Sequence, residues 1–284
     1  MNVGGKTALV AGATREIGRN IARALAAGGA RLVLPWHDDW PGDAASLREE
    51  FGGEGFHILL KTDLRKPEEV RMLADSIRKT AGSLDILVNN IERGGMPVVH
   101  GSYDKEVNRD QWRLEQETTL LAKRLLFESF LPLLKKAPEA AVVNISSIAA
   151  VTGRSGPASL VFSDGYAAAN RAVSILTETW ARLGAPTIRV NELMLGLIDT
   201  RHGKKTRGWE TLTPAQREAL TNHTLLKRTG TPREVVEAVL FLVSASYLTG
   251  SVLRLDGGYL LGGEPVAPMP EGILDQSRSP AGDE

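Results

Sequence analysis

The 284-residue chain carries 34 Lys plus Arg against 34 Asp plus Glu, a formal net charge of zero. That balance removes the electrostatic basis for a nucleic-acid partner or an anionic membrane surface, and points to a small molecule or another protein. There is no cysteine, which excludes disulfides, thiolate nucleophiles and cysteine metal sites, and no metal site is expected. The opening residues lack a charged-then-apolar leader and no run of about 18 apolar residues occurs, so a soluble cytoplasmic protein with no membrane partner is expected.

Short apolar runs at 7–11, 31–34, 57–60, 86–89, 141–145, 188–194 and 251–255 read as seven strands. Helical patterns lie near 16–28, 43–51, 67–81, 108–136, 164–183 and 232–244; one opens with Pro67, Glu68 and Glu69, suited to a helix N-terminus. Strands apolar on both faces and separated by helices predict a single-domain doubly wound α/β fold of the Rossmann type, a seven-stranded parallel sheet covered on both sides. The alternation spans 1–263 as one domain. Within it, 201–230 reads as an irregular substrate loop. The segment 264–284, rich in Pro, Gly and charge, reads as a flexible tail.

The first strand runs into Gly12-Ala13-Thr14-Arg15-Glu16-Ile17-Gly18 and then a helix, the context in which helix N–H groups receive a pyrophosphate. Further landmarks follow in order: Asp63-Leu64, Leu87-Val88-Asn89-Asn90, Asn144-Ile145-Ser146-Ser147, Tyr166, Arg189-Val190-Asn191, Gly196-Leu197-Ile198-Asp199-Thr200, Thr249-Gly250 and Asp256-Gly257-Gly258. Together these resemble the short-chain dehydrogenase/reductase family, in particular its members similar to 3-oxoacyl-carrier-protein reductases. The resemblance covers nearly the whole chain.

The resemblance implies an NAD(P) site formed by Gly12, Arg15, Ile17, Gly18, Trp36, Asp63, Leu64, Asn89, Gly196, Ile198 and Thr200. Trp36 stands where an NAD-selecting acid is usual, and Arg15 where NADP-preferring relatives carry a base, so NADP is weakly preferred over NAD if either binds. Asp63 either meets the adenine amino group, caps the following loop, or does both. Two departures make binding doubtful. Glu16 replaces a turn glycine, adding bulk and a charge that repels phosphate unless it points to solvent as a first-turn acid. Ile91 and Glu92 replace a small pair that lies against the cofactor.

The resemblance also implies a catalytic set. Ser147 matches the carbonyl-orienting serine or is a strand-end serine serving the backbone, and Tyr166 matches the proton-transferring tyrosine. The lysine one helical turn later is Asn170, which has no charge with which to stabilise tyrosinate. Arg171 is rotated by about 100° around the helix and is no substitute. Thr119 stands at the position of an asparagine that anchors a relay water. Ser147 and Tyr166 are separated by 18 residues, 148–165, which implies an insertion over 153–165 beside the site's mouth.

Arg201, Lys204, Lys205 and Arg207 are either a receptor for phosphate, carboxylate or an acyl carrier, or a solvated loop. Family members assemble through the long helix, the tyrosine helix and the last strand. The expectation is therefore a homo- or hetero-oligomer with another family subunit and a small-molecule or acyl-thioester ligand. Within it the chain is a non-catalytic or weakly active subunit. The alternatives are a ketone reductase or alcohol dehydrogenase with a rearranged site, or a binding protein or non-redox lyase that uses the pocket with another ligand.

Overall fold

The computed structural model describes residues 1–37, 43–92, 96–200 and 207–270. In chain order the regular elements are β1 (Thr7–Ala11), α1 (Glu16–Ala27), β2 (Arg31–Trp36), α2 (Asp43–Phe51), β3 (Ile58–Lys61), α3 (Pro67–Thr80), β4 (Ile86–Asn89), α4 (Pro97–His100), α5 (Gln111–Gln116) and α6 (Ala122–Leu134). There follow β5 (Ala140–Ser147), α7 (Ala149–Thr152), α8 (Asp164–Gly184), β6 (Ile188–Leu195), α9 (Arg207–Thr211), α10 (Pro214–His223), α11 (Pro232–Ser244) and β7 (Val252–Leu255).

All seven strands run parallel in the order β3-β2-β1-β4-β5-β6-β7. β1, β4, β5 and β6 are buried along their whole length, as strands must be when helices cover both sheet faces. On one face α1 and α11 pack over Val10, Val88, Val143 and Leu193. On the other, α3, α6 and the C-terminal half of α8 pack over Leu9, Leu87, Val142 and Val190. The chain winds from β1 outward through β2 to β3, then crosses back to place β4 on the other side of β1. That reversal opens a crevice at the strands' carboxyl ends, where open α/β sheets bind ligands.

Three expectations change. The long helix expected over 108–136 is interrupted: after α5, residues Glu117–Leu121 form a π-helical turn before α6 begins. Within 201–230, where 201–206 lie outside the described residues, α9 and α10 replace the expected irregular loop; Thr213 and Gln216 form a capping box with Pro214 in the first turn. The insertion near 153–165 folds as well. Ala158, Val161 and Phe162 join Tyr166, Leu212, Leu220 and Tyr259 in a third apolar cluster roofing the carboxyl ends of the strands. Of the expected tail, residues 264–266 and their neighbours to 270 are exposed without regular structure, and 271–284 lie outside the described residues. Among the described residues no helix is long and apolar enough to cross a membrane, and no cluster of His, Asp and Glu is placed to hold a metal ion.

Candidate active site

A cleft of about 420 Å³ runs from the turn after β1 to Tyr166. Its floor is the glycine turn. A Cβ on Gly12 would stand 2.6 Å from the Asn90 carbonyl oxygen, and one on Gly18 would stand 2.1 Å from the Gly12 oxygen, so both glycines are required by close backbone approach. Gly12, Arg15, Glu16 and Ile17 line the cleft, whereas Gly18 lies behind them. Glu16 has φ 42°, keeping the left-handed form of the glycine it replaces at a cost of about 1–2 kcal/mol for an L-residue. The backbone of the turn is therefore intact, and the side chain is exposed at the start of α1.

At the far end of the cleft an aromatic ring is backed by two cations. The Trp36 ring, 8% exposed at the end of β2, lies 4.5 Å beneath the Arg48 guanidinium and 5.8 Å from the Lys61 ammonium. Asp63 accepts from the Arg65 backbone at 3.0 Å and from its guanidinium at 2.8 Å twice. The Arg65 hydrogen bonds hold its carboxyl below the usual aspartate range. Leu64 is buried beside it and His37 Nε2 lies 3.7 Å away. Trp36, Asp63 and Leu64 all line the cleft. Asn89 does not: its amide donates to Asn144 at 2.8 Å, and Asn144 donates to Thr177 at 2.9 Å, tying β4 to β5 and α8. The neighbouring Asn90 faces the cleft instead.

After β6, Gly196, Ile198 and Thr200 complete the wall. Ser147 is 4% exposed at the end of β5; its Oγ accepts from the Ala149 N–H at 3.2 Å while it lines the cleft. It thus serves the backbone and faces the site at once.

Tyr166 sits in the first turn of α8, whose start is pinned by a buried carboxylate. Glu115 accepts from Ser163 at 2.9 Å, from Gln111 at 2.8 Å and from Tyr103 at 2.8 Å, and the Tyr103 hydroxyl in turn accepts from the Gly165 N–H at 2.9 Å. Ser163 caps the helix by accepting from the Tyr166 N–H. So fixed, the Tyr166 hydroxyl donates to Glu92 Oε2 across 2.7 Å. Asn170 is fully buried and outside the cleft lining; its amide donates to the Tyr166 carbonyl at 2.9 Å. Thr119, in the π-helical turn, is fully buried as well, and Thr118 takes the place at the cleft wall.

Two charged residues here escaped the sequence reading. Lys123, on α6, has no exposed surface and its ammonium has no hydrogen-bond partner. Burial pushes it down to about 8, against the opposing pull of Glu92 and Glu192. Glu192, fully buried on β6, accepts from Ser146 and, at 3.1 Å, from Ser174. Burial pushes its carboxyl up, while the two serines and Lys123 oppose that shift. The available signals were a lysine among Ala122, Leu125 and Leu126 and a glutamate inside an otherwise buried strand. The cations at 201, 204, 205 and 207 lie outside the described side chains.

Residues 12–260 match the family model described as enoyl-(acyl carrier protein) reductase. The chain is 30% identical over 261 residues to the 3-oxoacyl-(acyl-carrier-protein) reductase of Vibrio cholerae serotype O1, covering 91% of this chain and 98% of that protein. It is 33% identical over 254 residues to the granaticin polyketide synthase putative ketoacyl reductase 2 of Streptomyces violaceoruber, covering 88% and 94%. With the 7alpha-hydroxysteroid dehydrogenase of Escherichia coli it shares 30% identity over 270 residues, covering 91% and 95%. The fold is similar to that of the ligand-free Thermoplasma acidophilum aldohexose dehydrogenase, with a TM-score of 0.71 at 24% identity over 95% of this chain and 98% of that one. The chain belongs to the short-chain dehydrogenase/reductase family of oxidoreductases.

Proposed function

We propose that the chain is an NADP(H)-linked oxidoreductase of a carbonyl and its secondary alcohol, in which Tyr166 conducts the proton between the substrate oxygen and Glu92. The observation that carries this reading is the 2.7 Å hydrogen bond from the Tyr166 hydroxyl to Glu92. A nicotinamide supplies hydride to the carbonyl carbon or receives it from the alcohol. In oxidation the substrate's O–H proton passes to the Tyr166 oxygen as the Tyr166 proton passes to the Glu92 carboxylate. In reduction the Glu92 carboxyl proton returns through the same two bonds. Glu92 thereby does what tyrosinate does when a lysine stabilises it, and no phenolate has to persist at neutral pH.

The residues present fit a dinucleotide. The glycine turn keeps the backbone path that can receive a pyrophosphate, because Cβ atoms at Gly12 or Gly18 would strike the Asn90 and Gly12 backbone, and Glu16 opposes phosphate by charge, with its side chain exposed. Arg15, His37 and Arg65 line the cleft that Trp36 also lines, which favours a 2′-phosphate and hence NADP. Val161, Phe162, Leu195 and Ile198 give the Tyr166 end an apolar wall, suited to an aliphatic or alicyclic carbonyl.

A second reading, a non-catalytic subunit assembled with an active family member, is favoured by Asn170, whose amide turns to its own helix and leaves position 170 without a cation. Calorimetry with NADPH and NADH on the purified chain, followed by carbonyl-dependent NADPH oxidation, separates the two. Micromolar NADPH binding with turnover that Tyr166→Phe abolishes supports the enzyme. Absence of binding at millimolar cofactor, together with co-purification of a complete family member, supports the subunit.

A further inference from the structure

We propose that Lys123 is the positioning cation of this site, stabilising Glu92 as the carboxylate that receives the Tyr166 proton, from α6 instead of from position 170. The proposal rests on the Tyr166–Glu92 relay.

Lys123 follows Thr119 by one helical turn, so the two share the face of the α6 segment that turns inward. The π-helical turn that precedes α6 packs on α8, the helix that carries Tyr166. A lysine on that face gains nothing from packing that an aliphatic side chain would not supply. Burying an ammonium without a hydrogen-bond partner is costly unless nearby anions compensate it. Two anions offset part of that cost: Glu92, in the segment after β4, and Glu192, on β6, both favour its charged form.

These acids are not equivalent. Glu192 is already satisfied on one oxygen by Ser146 and Ser174 and is also influenced by Arg171 from α8. Glu92 lines the cleft and bonds the Tyr166 hydroxyl. The Lys123 charge therefore acts on the one carboxylate that exchanges a proton with the tyrosine. A neutral Asn170 is compatible with this arrangement, because the cation enters from the neighbouring helix.

Lys123→Met is the direct test. The pH profile of kcat for alcohol oxidation should move its acidic limb up by about one unit, a loss of about tenfold on that limb, with the KM for cofactor unchanged. Without any cofactor, the infrared carboxyl band identified by subtraction of Glu92→Gln should persist to higher pH in Lys123→Met than in the unmodified chain. A folded Lys123→Met protein in which neither limb nor band moves overturns the proposal.

Should Lys123→Met not fold, the coupling is read from the other partner. Linkage is reciprocal, so Glu92→Gln should lower the titration midpoint of the Lys123 Cε resonance, followed by NMR, by about half a unit or more. An unchanged midpoint overturns the proposal equally. Failure of the relay itself looks different: Glu92→Gln and Tyr166→Phe would then retain full turnover whatever Lys123 does.

Discussion

Tyr166 and Glu92 are 74 positions apart and joined by a 2.7 Å hydrogen bond that links the first turn of α8 to the segment after β4. If this pair is one proton path, its members are not independent. Tyr166→Phe and Glu92→Gln should each lower kcat by about 100-fold or more, and the double variant should be little worse than either single one. Steady-state kinetics on the three variants provides the check. Multiplying losses would show that the two side chains act separately.

Glu16 isolates charge from shape. Its backbone already has the left-handed form, φ 42°, so glycine there removes strain of about 1–2 kcal/mol. Against that, glycine loses a first-turn acid worth about 0.3–1 kcal/mol and adds chain entropy on unfolding. The stability terms nearly cancel, whereas the phosphate repulsion does not. Glu16→Gly should therefore leave the melting temperature within a few degrees and tighten NADPH by about tenfold, or about 1.4 kcal/mol. Calorimetry at low and high salt tests it, because screening should shrink the gain.

The sheet was legible because strand and helix periods alternate without a break from Thr7 to Leu255, and that alternation admits few topologies. The crevice followed from the topology. What the sequence concealed are side-chain encounters between distant elements. Glu92 reads as an intrusion into the cofactor space, and only the fold shows its carboxylate on the Tyr166 hydroxyl. Lys123 reads as one charge of an amphipathic helix, and the π-helical turn before it has no clear local pattern. α10 was different: the Thr213, Pro214 and Gln216 signature was present in the sequence, and the surrounding charge masked it.

Arg15 tests the cofactor preference. It belongs to the glycine turn and lines the same cleft as His37 and Arg65, where a 2′-phosphate would gain charge-assisted hydrogen bonds. Arg15→Ala should weaken NADPH by about tenfold and leave NADH nearly unchanged. Parallel titrations of the two cofactors measure the ratio. Equal loss for both would place Arg15 against the pyrophosphate that they share.

Lys123 also carries a stability signature whose sign is fixed by its depressed value, about 8 in the folded chain against 10.5 for an ordinary lysine. Between these values the unfolded chain binds more protons than the folded one, so stability rises with pH through that window. Below pH 8 the full penalty applies, about 3 kcal/mol for a shift of that size. Lys123→Met removes it and leaves Glu192 with its two serine donors. The variant should therefore melt higher than the unmodified chain at pH 7, with the gap closing toward pH 10. Denaturant melts at pH 7, 8.5 and 10 measure the trend. A gap that does not narrow with pH would mean that the gain comes from packing and not from the removed charge. Such a gain, accompanied by impaired alcohol oxidation, would mean that the fold tolerates a costly buried ammonium because the Tyr166–Glu92 pair depends on it.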